Sequence, residues 1–488
     1  MLPLEILVPI TVVFISIPVI VTQVIRRLGF VKTLEDFLVA KHLVPMSMVC
    51  ATVTSLYIWG SSVMGSAEGA YGFGIAGTWI YPMYAAGLWI FGLWASKLRA
   101  LLPFAVTYID WFKVRFKNAP LLVLVVLYAL LTSLFGAMCQ TTAAGHMYTG
   151  LSGGIPYAYQ IGVLLSSVLS LVYIVTVGLW GSLVATWAFT NLAMLFHAIT
   201  AAYTWSALGG PGAVIETAAT VSDKLGPEFF NLLSPSALIL YLPAVLAWAL
   251  FSLPMQQDYW QVALAADSSK SAGRGFLHAG IWWFFMPFLA TSLGFSYRIL
   301  EAAGKVPAVA VGTEAYPTLI GLFTPTWVQV LFLYVILSAC VGTVGQALLA
   351  MGTVIANNLY KQFINKNATD KQILRVTRIS VAVCAIVLIL STITPISTLY
   401  LLLFMPLYMA PLVGGFLLSM WRGWVSSWPI FAGGIIGFAV GAYMFLVLGL
   451  WGPSMVVAFF IGLGITVLGS LIKKEHFDFS VLEQYKRR

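Results

Sequence analysis

The sequence predicts an all-α integral membrane protein with about thirteen transmembrane helices, and three observations lead there. Of its 488 residues 60% are apolar and only 8% charged, against roughly 25% charged in soluble domains. Such a chain cannot cover a water-facing surface. Apolar runs of about 20 residues, the length a bilayer core requires, recur from end to end. Aromatics reach 14%, as expected where many helix ends sit at a lipid interface. Together these exclude a soluble enzyme, a nucleic-acid-binding domain and a disordered chain.

In order, the runs cover about 4–25, 44–72, 78–98, 119–147, 157–178, 182–206, 236–266, 276–297, 325–360, 378–396, 397–420, 427–449 and 453–472. The first lacks a basic leader and is long enough to span, so it reads as a helix and not as a cleaved signal. Runs longer than 25 residues must tilt, break or continue along the interface. The stretches 207–235 and 298–324 read as long outer loops, lids or plain connectors. Val214-Ile215-Glu216 and Phe229-Phe230 suit a short helix lying on the membrane. Residues 473–488 form a polar tail, and the whole chain reads as one polytopic domain.

Positive charge sets the orientation. The net charge is +9, and the basic residues lie between apolar runs, which argues against a nucleic-acid partner. With the N-terminus outside, all 25 Lys and Arg except Lys224, Arg298 and Lys305 fall on the cytoplasmic side, along with the C-terminus. The expected setting is therefore the cell membrane, crossed many times, with the lipid bilayer and a small solute as partners and no obligate protein partner. Cys50, Cys139, Cys340 and Cys384 each sit in an apolar run without metal-ligand spacing, and read as free thiols.

Two acids stand inside apolar runs, Glu68 and Asp258. Each costs roughly 2.5–3.5 kcal/mol at mid-bilayer. Glu68 lies far along its span, where snorkelling to the outer face is the expectation. Asp258 follows Leu253-Pro254-Met255-Gln256-Gln257. Pro254 lacks an N–H and clashes one turn back, so this span should break near 250–256. Polar side chains at a break need water, ligand or protein partners. The span 44–72 has a matching weak point, with Thr52, Thr54, Ser55, Tyr57, Trp59, Gly60, Ser61 and Ser62 crowded together. Both weak spans open a block of five: 44–206 and 236–420. Odd blocks run in opposite directions, and interrupted helices at equivalent places in inverted repeats mark a transporter's central site. His146 and His197 read as satisfied structural histidines, and Pro406 and Pro411 as a hinge.

Several stretches resemble the sodium:solute symporter family. Lys32-Thr33-Leu34-Glu35-Asp36-Phe37 resembles the lead-in to its first core helix. Ala263-Leu264-Ala265-Ala266-Asp267 with Ala272-Gly273-Arg274-Gly275 resembles its stretch after the sixth core helix, and Ser338 to Tyr360 with the basic loop beyond resembles its eighth. Tyr259-Trp260-Gln261, Ile281 to Phe288 and Tyr71-Gly72-Phe73-Gly74 look closest to the urea/polyamine active transporter branch. The resemblance implies a leucine-transporter fold: two inverted five-helix repeats, about 44–206 and 236–420, with two extra helices over 427–472. It implies a solute site at Trp59, Gln256, Gln257, Asp258 and Tyr259. It also implies a sodium site from Ser55, Ile58, Ala339 and Thr343, with no other cofactor or metal.

The family pattern is not fully kept. Gly342 stands where a second hydroxyl is expected, Tyr57 where one branch carries an aspartate, and Ala188-Phe189 where Thr-Asp is usual. Each change removes charge or oxygen from the ion path. The functional expectation is ion-coupled symport of a small polar solute, urea-like, with sodium ahead of protons. An uncoupled facilitator is the alternative. A membrane-embedded sensor is weaker, since only fourteen residues follow Lys474, and no motif for an enzyme appears.

Overall fold

The computed structural model describes residues 1–29, 31–57, 60–285 and 287–486. Among them the chain is helical, with one isolated parallel bridge between Val44 and Ala266 and no longer strand. Helix α1 covers Leu4–Arg27, and a short α2, Leu34–Val39, opens on a reciprocal cap between Thr33 and Asp36. The first expected break is present. Helices α3 (Met46–Tyr57) and α4 (Gly60–Phe73) meet at a bend of 47°. Then come α5 (Ile80–Leu101), a basic α6 (Ile109–Phe116) and α7 (Ala119–Ser152), which starts under the Asn118 cap. The expected spans 157–178 and 182–206 form α8 (Ala158–Ala207), turned at Gly178. There φ is +57°, and a side chain would collide with the Phe37 carbonyl, so only glycine fits.

Helix α9 (Gly210–Leu225) fills the first long outer loop, as the apolar Val214 and Ile215 suggested. The second break is also present. A stretch from Ala237 through α10 (Leu242–Ala247) contains π-helical turns and ends at Met255. Gln256 then leaves helical geometry at φ −94° and ψ 113°, and α11 begins (Gln257–Ala265). The remaining helices are α12 (Ser269–Phe285), α13 (Pro287–Ala302), α14 (Ala315–Phe323), α15 (Thr326–Val354), α16 (Asp370–Thr392), α17 (Thr398–Phe404), α18 (Pro406–Ser419), α19 (Ser427–Leu446) and α20 (Trp451–Ile472).

Among the described residues ten helical stretches are long and apolar enough to cross a membrane, twelve if two bent pairs each count as one. All thirteen expected runs are helical. Some carry too much polar sequence to register alone, as in α5 with Pro82, Lys97 and Arg99. Two starts differ from expectation by more than a helical turn. The run expected at 276 starts at Ser269, and that at 378 starts at Asp370. Polar caps extend both: Ser268 Oγ accepts from the Ser271 N–H, and Thr369 pairs reciprocally with Gln372. Hydropathy cannot see such turns.

Contacts between connectors sort them onto two faces. On one face Arg99 Nε donates to the Ala266 carbonyl at 2.9 Å, and Arg115 Nη2 to those of Gly423 and Val425 at 2.8 and 2.7 Å. Phe477 N reaches Gly423 O there, tying down the tail. These are the basic segments. On the opposite face the Met1 amine meets Gly321 O, Trp79 meets Leu232 O, and Lys305 meets Thr217.

Candidate functional site

Both breaks free backbone groups, because the last carbonyls of one half-helix and the first N–H groups of the next lose their partners. At the first break protein side chains take up both ends. Tyr259 Oη donates to the Leu56 carbonyl at 2.7 Å, at the close of α3. Ser61 N, at the start of α4, donates to Gln140 Oε1 at 3.1 Å, and Gln140 Nε2 donates to Ser61 Oγ at 2.7 Å. Gln140 was missed in the sequence. Its one signal there is being the single glutamine within the apolar run 119–147.

The second break is less complete. Trp260 Nε1 donates to the Pro254 carbonyl at 2.8 Å. Gln257 spends its amide on the basic face: Tyr108 N donates to Oε1, and Nε2 donates to Val106 O. Gln256 and Asp258 are 4% and 6% exposed, yet among the described residues Gln256 Nε2 and Asp258 Oδ1 have no hydrogen-bond partner. A buried open donor and open acceptor side by side in sequence are costly unless a ligand or water meets them. The residues expected to bind solute therefore divide. Gln256 and Asp258 keep open atoms, Gln257 and Tyr259 hold the breaks, and Trp59 lies outside the described residues.

Of the expected ion residues, Ser55 stands on α3 and Ala339 and Thr343 on α15, two helices that pack together. Ser55 and Thr343 are buried, and Thr343 Oγ1 lies 3.1 Å from the Ala339 carbonyl. A side chain at Gly342 would begin 3.7 Å from Ser55 Oγ and 2.8 Å from Thr186 Cγ2. The Thr186 methyl therefore fills the place of the missing hydroxyl, a role nothing in the sequence signals. Oxygens of this kind suit a hard cation. Ile58 lies outside the described residues, as does the Tyr57 side chain.

Glu68 does not snorkel. It is 8% exposed. Its carboxylate accepts from Thr313 Oγ1 at 2.5 Å, Ser397 Oγ at 2.7 Å and Leu399 N at 3.0 Å. It thus ties α4 to the loop before α14 and to the start of α17. Beside it, His146 lies 3.0 Å from Glu314 Oε1 and 2.9 Å from the Ile396 carbonyl. Glu301 binds Tyr71 and Arg298.

The profile of the sodium:solute symporter family matches residues 37–437. A protein of Oryza sativa subsp. japonica described as a urea-proton symporter is 23% identical over 382 residues, 72% of this chain and 52% of that one. A urea active transporter of Saccharomyces cerevisiae is also 23% identical, over 75% of this chain and 52% of its own. The chain spans about half the length of these relatives. In structure it is similar to a Na+-coupled sialic acid symporter in a substrate-bound outward-open state, with a TM-score of 0.78, 15% identity, and 97% and 98% of the two chains covered. The fold is the leucine-transporter fold.

Proposed function

Because this chain belongs to the sodium:solute symporter family, we propose that it is a secondary active transporter moving a small, urea-like polar solute with a coupling ion by alternating access. The observation that carries the reading is the pair of broken helices joined by the Tyr259–Leu56 bond, with the open atoms of Gln256 and Asp258 beside them. Gln256 and Asp258, with Trp59 from the first break, meet the solute. Gln257 and Tyr259 keep the breaks in register. The repeats are about 44–206 and 236–420, followed by two accessory helices. The basic face is cytoplasmic and holds the C-terminus, and the N-terminus is outside.

Sodium is the coupling ion, held by the carbonyls of Ser55, Ile58 and Ala339 and by Thr343 Oγ1. A second reading, proton coupling, is favoured by Gly342, which offers no oxygen, and by the rice relative's description. The test is uptake into proteoliposomes of labelled urea, proline, acetate and a polyamine under imposed sodium or proton gradients. Urea accumulation driven by sodium is expected. Accumulation driven only by protons would favour the second reading, and equilibration under either gradient would mean a facilitator. Uptake of no member of the panel would overturn the proposal.

A further inference from the structure

We propose that Gln140 makes this site select uncharged amide-type solutes over carboxylates, by occupying the freed start of α4. The inference rests on the functional reading above. The first turn of a helix presents unpaired N–H groups and the positive end of its dipole, and in broken transporter helices that end receives anionic substrate groups. Here part of it is already taken. The Ser61 N–H is spent on Gln140 Oε1, and the Gln140 amide is held in turn by Ser61 Oγ. Gln140 is 4% exposed and Ser61 2%. Space is short as well: a methyl on Gly60 would come within 2.7 Å of Cys340 Sγ and 3.5 Å of Gln140 Oε1. A carboxylate cannot reach this N–H without displacing Gln140.

The other half-helix repeats the pattern with a charge. Asp258 stands in the first turn of α11, so the protein's own carboxyl sits at that positive end. An anionic solute would find Gln140 on an N–H at one helix start and a carboxyl group in the first turn of the other. An uncharged amide fares differently. The open acceptor, Asp258 Oδ1, matches an amide N–H, and the open donor, Gln256 Nε2, matches an amide carbonyl. One donor and one acceptor are what urea and small carboxamides require.

The experiment follows labelled-urea uptake in proteoliposomes with acetate and propionate as competitors. In the wild type both should compete weakly. Gln140→Ala, and Gln140→Asn, which withdraws the amide by one methylene, should each strengthen acetate inhibition about tenfold or more, the scale of one hydrogen bond to a charged partner. Gln140→Glu keeps an acceptor on Ser61 N and should exclude acetate as the wild type does. Unchanged acetate inhibition in both shortened variants would overturn the proposal, as would an equal gain in Gln140→Glu. A second arm measures thermal stabilisation of the purified variants by acetate. It reads anion binding even if the wild type takes up no urea, so a failed functional reading and a failed role for Gln140 give different results.

Discussion

The two faces of the molecule are closed by opposite chemistry. On the acidic side three carboxylates do the joining: Glu68 to Thr313, Ser397 and Leu399, Glu314 to His146, and Glu301 to Tyr71 and Arg298. On the basic side buried cations grip backbone carbonyls: Arg99 on Ala266, and Arg115 on Gly423 and Val425. A carbonyl cannot be neutralised, and arginine keeps its proton at any physiological pH. A hydroxyl–carboxylate contact can be remade with water once the helices part. The difference teaches which joint is built to stay and which to open. On the proposed alternating-access reading, the basic-side arginine bonds would serve as a hinge and the Glu68 contacts as a latch.

The largest expected effect comes from the hinge. Arg115 is 5% exposed and also stacks its guanidinium 4.7 Å from the Phe477 ring. Arg115→Ala should cost about 3 kcal/mol, since two hydrogen bonds from a charged donor are lost. A lowered melting temperature in detergent and faster proteolysis after Lys473 would register it. An unchanged melting temperature would mean that this face is not held as described. Next is the latch. Glu68→Ala removes the acceptor of three donors and should favour opening by about 2 kcal/mol, roughly 30-fold in population. A cysteine at buried Ser66 should then react faster with an impermeant maleimide by about that factor. Equal rates would remove Glu68 from the latch.

Midway between the faces the effects are smaller. Thr343→Ala should raise the sodium needed for half-maximal uptake about tenfold or more. Gly342→Ser alone should not lower it, because the new side chain meets the Thr186 methyl. Gly342→Ser with Thr186→Ser removes that methyl and should lower the requirement. Smallest is a pH effect on the hinge side. Burial, helped by Arg99, lowers the pKa of His42 below its usual value. The unfolded chain then takes up the proton more readily, so stability is full above about pH 6.5 and declines as pH falls below it. A melting-temperature profile should show this slope, and His42→Gln should flatten it.

Much of this architecture is legible in the sequence, because lipid leaves few choices. Pro254 and the polar run after it locate the break at Gln256, and Gly60 locates the start of α4. Long-range partners were not legible. Glu68 reads as an interfacial acid until Thr313 and Ser397, 245 and 329 residues away, fold over it. Gln257 reads as a solute ligand until Val106 and Tyr108 claim its amide. Thr186 is one threonine among many, and only packing sets its methyl against Gly342. Periodicity and breakers report what a segment does alone, whereas these residues take their roles from segments distant in sequence.

The bridge at Val44 has a kinetic meaning. Val44 N donates to the Ala265 carbonyl at 3.0 Å and Asp267 N donates to Val44 O at 2.9 Å, while His42 Nδ1 lies 2.7 Å from Leu264 O. The entry to α3 is thus joined to the exit of α11, and Tyr259 joins the same two half-helices again at Leu56, near their other ends. Two rods pinned at both ends cannot swing separately. They form a single rigid unit that should shift in one step over one barrier, not as two helices yielding in turn. Spin labels on α3 and α11 would keep a constant separation through the whole transport cycle, while both move against α15.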